Sequence, residues 1–140
     1  MTSGEARQLL ASARVARLAT ADASGRPHLV PVVFACDGDV VFSAVDAKPK
    51  RTTELRRLDN ARANPRVALL ADHYDDADWD ALWWVRADGV ARVLDPGEQE
   101  ARRGVALLVE RYSQYRTARP DGPVLAVTVD RWSGWRARSR

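Results

Sequence analysis

The sequence predicts a mainly β fold with flanking helices: an antiparallel barrel of six or more strands, helices packed outside. Three observations point there: six short apolar or alternating segments, tight polar turns between the first of them, and stretches of helical period before and between them. A chain of 140 residues with this many strands has room for one core, so residues 1–140 are read as one domain. Closing the sheet on itself removes strand edges that would otherwise pair with other chains.

Residues 3–13 place Ala6, Leu9, Leu10 and Ala13 on one helical face, with Ser3 as N-cap and Glu5 in the first turn. Residues 15–20 alternate as a strand does, and Asp22-Ala23-Ser24-Gly25 supplies a hairpin turn in which Gly25 takes positive φ. Residues 27–35 are nearly all apolar, as in a strand covered on both faces. Asp37-Gly38-Asp39 turns them into a strand at 40–45, which predicts a three-stranded meander. Pro31 cannot donate to a ladder, so its strand belongs at an edge, at a bulge or beside a ligand. Thr52 or Thr53 caps a helix running to about Ala61, with Leu55 and Leu58 inward and Arg56 and Arg57 outward, and Asn64-Pro65 stops it. A fourth strand occupies 67–71 and a fifth 82–94, bulged or bent near Gly89. Asp95-Pro96-Gly97-Glu98 opens a long helix capped by Asp95, with Ala101, Val105, Leu108, Val109 and Tyr112 on its apolar face. Residues 124–129 form a sixth strand.

Of 22 basic residues only Lys48 and Lys50 are lysines, and both fall in Ala47-Lys48-Pro49-Lys50-Arg51. A mobile point charge suits a phosphate oxygen, and the following helix start offers free N–H groups to an anion; the plainer reading is a solvated loop. Residues 48–66 hold seven basic side chains against Glu54 and Asp59, whereas 72–80 hold five aspartates and no base. The basic stripe suits nucleic acid in principle, but no aromatic residues interleave with it. Cys36 stands alone, so an internal disulfide is excluded, and beside Val33 and Phe34 it reads as a small buried filler. His28 and His73 are too few for a typical zinc centre, and no metal is expected. Neither a secretory leader nor an apolar run near the roughly 20 residues of a membrane span is present, so a cytoplasmic protein is expected.

In this order the segments resemble the split β-barrel of the pyridoxamine 5'-phosphate oxidase-like flavin-binding family, most closely over residues 15–89. His28-Leu29-Val30-Pro31-Val32-Val33 matches the strand that lines the isoalloxazine, His28 standing where the oxidase has arginine. Ser43-Ala44 falls on a cofactor-contacting pair, and Pro49-Lys50 on an Arg-Lys pair at the phosphate, with the arginine displaced to Arg51 and Lys48 adding a charge. Asn64-Pro65-Arg66-Val67-Ala68-Leu69-Leu70 resembles the family's strand start after the helix. Trp84-Val85-Arg86-Ala87-Asp88-Gly89 resembles the strand that reaches the cofactor from the partner subunit. Trp84 replaces a glutamine and the loop at 75–80 is longer and more acidic, which argues against pyridoxamine phosphate oxidation. Residues 28–34 and 48–51, with Leu82-Trp83-Trp84-Val85 and Arg131-Trp132-Ser133-Gly134-Trp135, look more like the branch that uses the deazaflavin coenzyme F420, with FMN as the alternative cofactor.

The resemblance implies a homodimer with the cofactor at the subunit interface and hydride transfer to or from a small conjugated substrate. It assigns cofactor contacts to residues 28–33, to Ser43 and Ala44, to Lys48, Lys50 and Arg51 at the phosphate, and to Trp84 and Arg86. His73, Tyr74 and His28 are the side chains considered for proton delivery, each with the plainer reading of a hydrogen-bonded structural group. An FMN-dependent oxidoreductase of the same fold is the second reading, and a non-catalytic cofactor or nucleic-acid binder the third. Ser24-Gly25 and Ser133-Gly134 lie in no nucleophile elbow and no glycine-rich phosphate loop occurs, so hydrolysis finds no support.

Overall fold

The computed structural model describes residues 1–45 and 52–137. In chain order it contains α1 (Ser3–Ser12), β1 (Ala16–Ala21), β2 (Pro27–Val32), β3 (Ala35–Asp37), β4 (Val40–Ala44) and α2 (Thr52–Ala63). These are followed by β5 (Arg66–His73), a 3-10 turn (Trp79–Ala81), β6 (Trp83–Leu94), α3 (Gln99–Arg111), α4 (Ser113–Thr117) and β7 (Val124–Arg136). The seven strands form one antiparallel sheet in the order β2-β1-β5-β6-β7-β4-β3, the mainly β, helix-flanked architecture that the sequence predicts.

The apolar run at 27–35 is two strands rather than one. It breaks at Val33-Phe34, so that β2 pairs with β1 while β3 pairs with β4 at the far edge. The expected meander is therefore replaced, and the second neighbour of β4 is β7. Three Cα steps separate Val32 from Ala35, which holds the two edges of the sheet within about 11 Å. That tether curls the sheet into a split barrel. Pro31 is accommodated because β2 is an edge strand, with β1 as its one partner among the described residues.

The crossing is clamped from the end of α3. Tyr112 Oη accepts from the Phe34 amide at 3.2 Å and lies 2.9 Å from the carbonyls of both Phe34 and Arg14. Arg111 donates to the Phe34 carbonyl at 2.9 Å and to that of Ala13, its guanidinium lying 4.9 Å from the Phe34 ring centre. A strand break exposes backbone donors and acceptors that neither sheet edge can satisfy, and these side chains supply the partners.

Inside the barrel, Leu18, Val32, Phe34, Val41, Leu69, Val85 and Val127 pack with Ala6 and Leu10 of α1 and with Leu58 and Ala61 of α2. A second cluster outside joins Phe42, Ala44, Leu94 and Ala126 to Ala101, Val105 and Leu108 of α3. Among the described residues no helix is long and apolar enough to cross a membrane.

Local details differ from expectation for identifiable reasons. The N-cap of α1 is Thr2, not Ser3, because only from Thr2 does Glu5 occupy the third helical position and close a reciprocal capping box. Asp95 does not cap α3. Asp95-Pro96-Gly97-Glu98 forms a separate turn in which Glu98 accepts from the Asp95 amide at 2.7 Å, and the helix begins at Gln99. Arg57 points inward, buried, and donates to the Ala44 carbonyl at 3.4 Å, since the helix face that carries Leu58 and Ala61 also covers the end of β4. The capping role of Thr52 or Thr53 and the inward placing of Leu55 fall outside the described side chains. β7 runs on past Val129 to Arg136, pairing with β6 as far as Trp83.

Two outcomes follow. Tyr112→Phe leaves the Phe34 amide without its partner and should lower stability by about 1–3 kcal/mol in urea unfolding. Glu100 accepts from Arg92 at 2.5 and 2.9 Å, and those bonds hold its carboxyl below the ordinary glutamate range. The stabilisation is present above the unfolded-state pKa and fades as pH falls through the lowered folded value. Glu100→Gln should therefore make unfolding midpoints between pH 5 and pH 3 less steeply pH-dependent than in the parent.

Candidate functional site

Side chains alternate across a strand, so the sheet face turned away from the barrel core carries every second residue. Register arranges them in transverse rows. One row runs Leu29, Ala19, Ala68, Asp88, Arg131 from β2 through β1, β5 and β6 to β7. The adjacent row runs Pro31, Arg17, Leu70, Arg86, Ser133. Four strand spacings separate Leu29 from Arg131, roughly 19 Å. Ala19 and Ala68, directly paired, leave a shallow floor between bulkier neighbours. A cleft of about 550 Å³ opens there, lined by Ala19, Ala68, Gly89, Arg66, Arg86, Arg131, Asp88 and Asp130 among others.

A bulge shapes the charged end. Asp88 faces Arg131 but Gly89 faces Val129, so Asp130 is an extra residue on β7, and Asp130 and Arg131 are both exposed instead of alternating. Gly89 is required there: a Cβ would sit 2.4 Å from the Thr128 carbonyl oxygen. Two ion pairs form, Arg66–Asp130 at 2.6 Å and Arg86–Asp88 at 3.1 Å. Arg131 has no ion-pair partner among the described residues, which leaves three arginines against two aspartates. The Ser133 hydroxyl, two residues along the same face, is buried without a hydrogen-bond partner.

The residues expected at a cofactor divide between the two faces. Leu29, 67% exposed, and Pro31 lie outward on β2, whereas His28, Val30 and Val32 turn toward the barrel, and Val33 lies in the crossing to β3. Ser43 and Ala44 are buried in β4. Trp84 and Arg86 share the outer face, the guanidinium 5.9 Å from the indole centre. Lys48, Lys50 and Arg51 lie outside the described residues.

The three side chains considered for proton delivery are not brought together. His28 pairs with Thr20 beside the alanine row, and its Nδ1 is buried without a partner. His73 lies five residues beyond Ala68 along β5, about 17 Å away, stacked on Trp83. Tyr74 donates to Asp76 at 2.8 Å in the acidic loop. That loop is built from local turns, with Asp75 and Asp78 accepting from the amides of Ala77 and Asp80. Burial pushes the Cys36 thiol up to about 11, so it carries no thiolate at neutral pH. The basic stripe is partly used internally: Arg57 is buried, Arg62 pairs with Asp59 and Arg66 with Asp130.

Sequence reasoning missed Thr20, Asn60 and Asp130, and it met Asp88 and Arg131 only within the family-like stretches 84–89 and 131–135, with no role of their own. Asn60 donates to the buried Thr20 hydroxyl at 3.1 Å and joins α2 to β1 beneath the cleft. Arg86-Ala87-Asp88 spacing is the one local signal that puts two charges on a common face; the rest depends on long-range register.

The architecture is that of a split β-barrel with a ligand-sized trough on its outer sheet face. The pyridoxamine 5'-phosphate oxidase family model matches residues 2–136, and the chain belongs to that family. A 5a,11a-dehydrotetracycline/5a,11a-dehydrooxytetracycline reductase of Streptomyces rimosus is 33% identical over 86 residues, 61% of this chain and 59% of that enzyme. The matched part thus spans less than two thirds of the relative. A conserved hypothetical protein of Mycobacterium tuberculosis superposes over 99% of this chain and 86% of its own, with TM-score 0.77 and 25% identity. An FAD-binding protein of Mesorhizobium loti shares the fold at TM-score 0.70 and 20% identity, covering 96% of this chain and 92% of that one.

Because the Thr128 carbonyl is backbone and cannot swing aside, Gly89→Ala should cost about 1–3 kcal/mol, read as a lowered urea midpoint.

Proposed function

We propose that this chain is an oxidoreductase that uses coenzyme F420 to reduce a small conjugated substrate, working as a homodimer with the cofactor at the subunit interface. Family membership and the reductase among its relatives support an oxidoreductase. The observation that carries the reading is the outer edge of β2. Leu29 and Pro31 project from a strand with one partner and form an apolar ridge suited to the face of a flat ring. Exposed Leu70 and Trp135 on the same face suit burial against a second copy, which would carry its own Trp84 and Arg86 toward the ring.

The residues fit such a group, since the smooth apolar edge of Leu29 and Pro31 lies on the same face as Trp84 and Arg86, whose indole and guanidinium stand 5.9 Å apart. Leu29 and Pro31 would hold the ring and Lys48, Lys50 and Arg51 the phosphate. When bound, the reduced cofactor supplies a hydride, and a proton completes the two-electron reduction. The chain's own contribution is to orient the ring on a rigid edge and to exclude water through the second copy. FMN is the second reading, favoured by FAD-binding proteins among the structural relatives.

Cofactor-free protein titrated separately with F420 and with FMN, followed by tryptophan quenching, tests this alongside a mass measurement. Tight F420 binding and weak FMN binding to a dimer are expected, and Lys50→Ala should weaken F420 by about tenfold or more. Binding of neither cofactor, or unchanged affinity in Lys50→Ala, would overturn the assignment.

A further inference from the structure

We propose that the trough over Ala19 and Ala68 seats the substrate, and that the substrate is a planar molecule carrying a carboxylate or phosphate, anchored by Arg131. The inference rests on the reading that the cofactor ring lies at Leu29, because the two positions share one row. From Leu29 the row crosses two alanines before reaching Asp88 and Arg131. Two strand spacings of small side chains give a floor about 10 Å wide, long enough for a fused bicyclic system beside the ring.

Charge sets the preference at the far end. Asp130 neutralises Arg66 and Asp88 neutralises Arg86, which holds both arginines to the cleft wall. Among the described residues Arg131 is the cleft arginine without an ion-pair partner, and the bulge at Asp130 turns it onto this face. A guanidinium fork binds carboxylate and phosphate oxygens in pairs, whereas an uncharged substrate gains nothing from it. The cleft volume of about 550 Å³ lies within the range of small-molecule sites.

The probes are 2-naphthoate, 2-naphthyl phosphate and uncharged 2-naphthalenemethanol, titrated calorimetrically into cofactor-free protein. At least one anion should bind about tenfold or more tightly than the alcohol, and whichever anion leads separates carboxylate from phosphate recognition. Arg131→Gln, which breaks no internal pair, should abolish that preference while leaving F420 binding unchanged. Asp130→Asn frees Arg66 and should strengthen both anions without affecting the alcohol. Equal binding of anions and alcohol, an anion preference that persists in Arg131→Gln, or loss of F420 binding in that variant would overturn the proposal. Absence of F420 binding by the parent, with the Arg131-dependent preference intact, would overturn the reductase reading and leave the oxyanion site standing.

Discussion

The barrel depends on a two-residue crossing. Val33-Phe34 carries the chain from one edge of a seven-stranded sheet to the other, and no ladder of β2 to β3 closes the gap. Closure is therefore covalent and local, and it holds only while the crossing keeps its path. Tyr112 and Arg111 fix that path by bonding the Phe34 amide and carbonyl, and Arg111 reaches the Ala13 carbonyl as well. Arg14 in turn donates to the Arg111 carbonyl at 2.9 Å, so the end of α1, the seam and the end of α3 are one hydrogen-bonded unit. Losing the Tyr112 hydroxyl leaves the Phe34 amide without its side-chain partner, whereas the Phe34 carbonyl, within reach of both Tyr112 and Arg111, keeps one when either is lost.

Functional geometry follows from this closure. Because β2 ends at the seam instead of joining a meander, it keeps a free edge, and Leu29 and Pro31 remain on an accessible face. On that face the register aligns small residues of β1 and β5, while a bulge in β7 brings two consecutive charged residues outward. The packed interior and the outer face are thus built by the same strands with opposite parity. Leu18 and Leu69 fill the core while Ala19 and Ala68, their neighbours in sequence, floor the trough. A rigid sheet is a suitable platform for positioning a flat ring and a second reactant, since neither has to order a loop on binding.

Much of the fold is legible from local pattern. The hairpin at Asp22–Gly25 has Gly25 at φ 83°, Pro31 marks an edge strand, and the irregularity near Gly89 is a bulge. The break at Val33-Phe34 is not legible, because an all-apolar run has no alternation to reveal a change of face. Arg57 misleads for a related reason: its charge suggests solvent, yet its guanidinium reaches a carbonyl at the end of β4. The candidate site is less legible than the fold. Ala19 and Ala68 are 49 positions apart and Asp88 and Arg131 are 43 apart, so their alignment is a property of strand pairing rather than of any motif. The family resemblance marked Leu29, Pro31, Trp84 and Arg86, all of which lie on the outer face, and also Ser43 and Ala44, which lie within the packed structure.

The central claim is that cofactor and substrate share one row of the outer sheet face. Amide chemical-shift mapping of isotopically labelled protein, first with F420 alone and then with an anionic bicyclic probe added, tests it residue by residue. The account predicts that F420 moves the amides around Leu29 and that the probe then moves those of Ala19, Ala68, Asp88 and Arg131. Shifts from both ligands confined to the acidic turn at Asp75–Asp80 or to the α3 face, with the row unmoved, would contradict it.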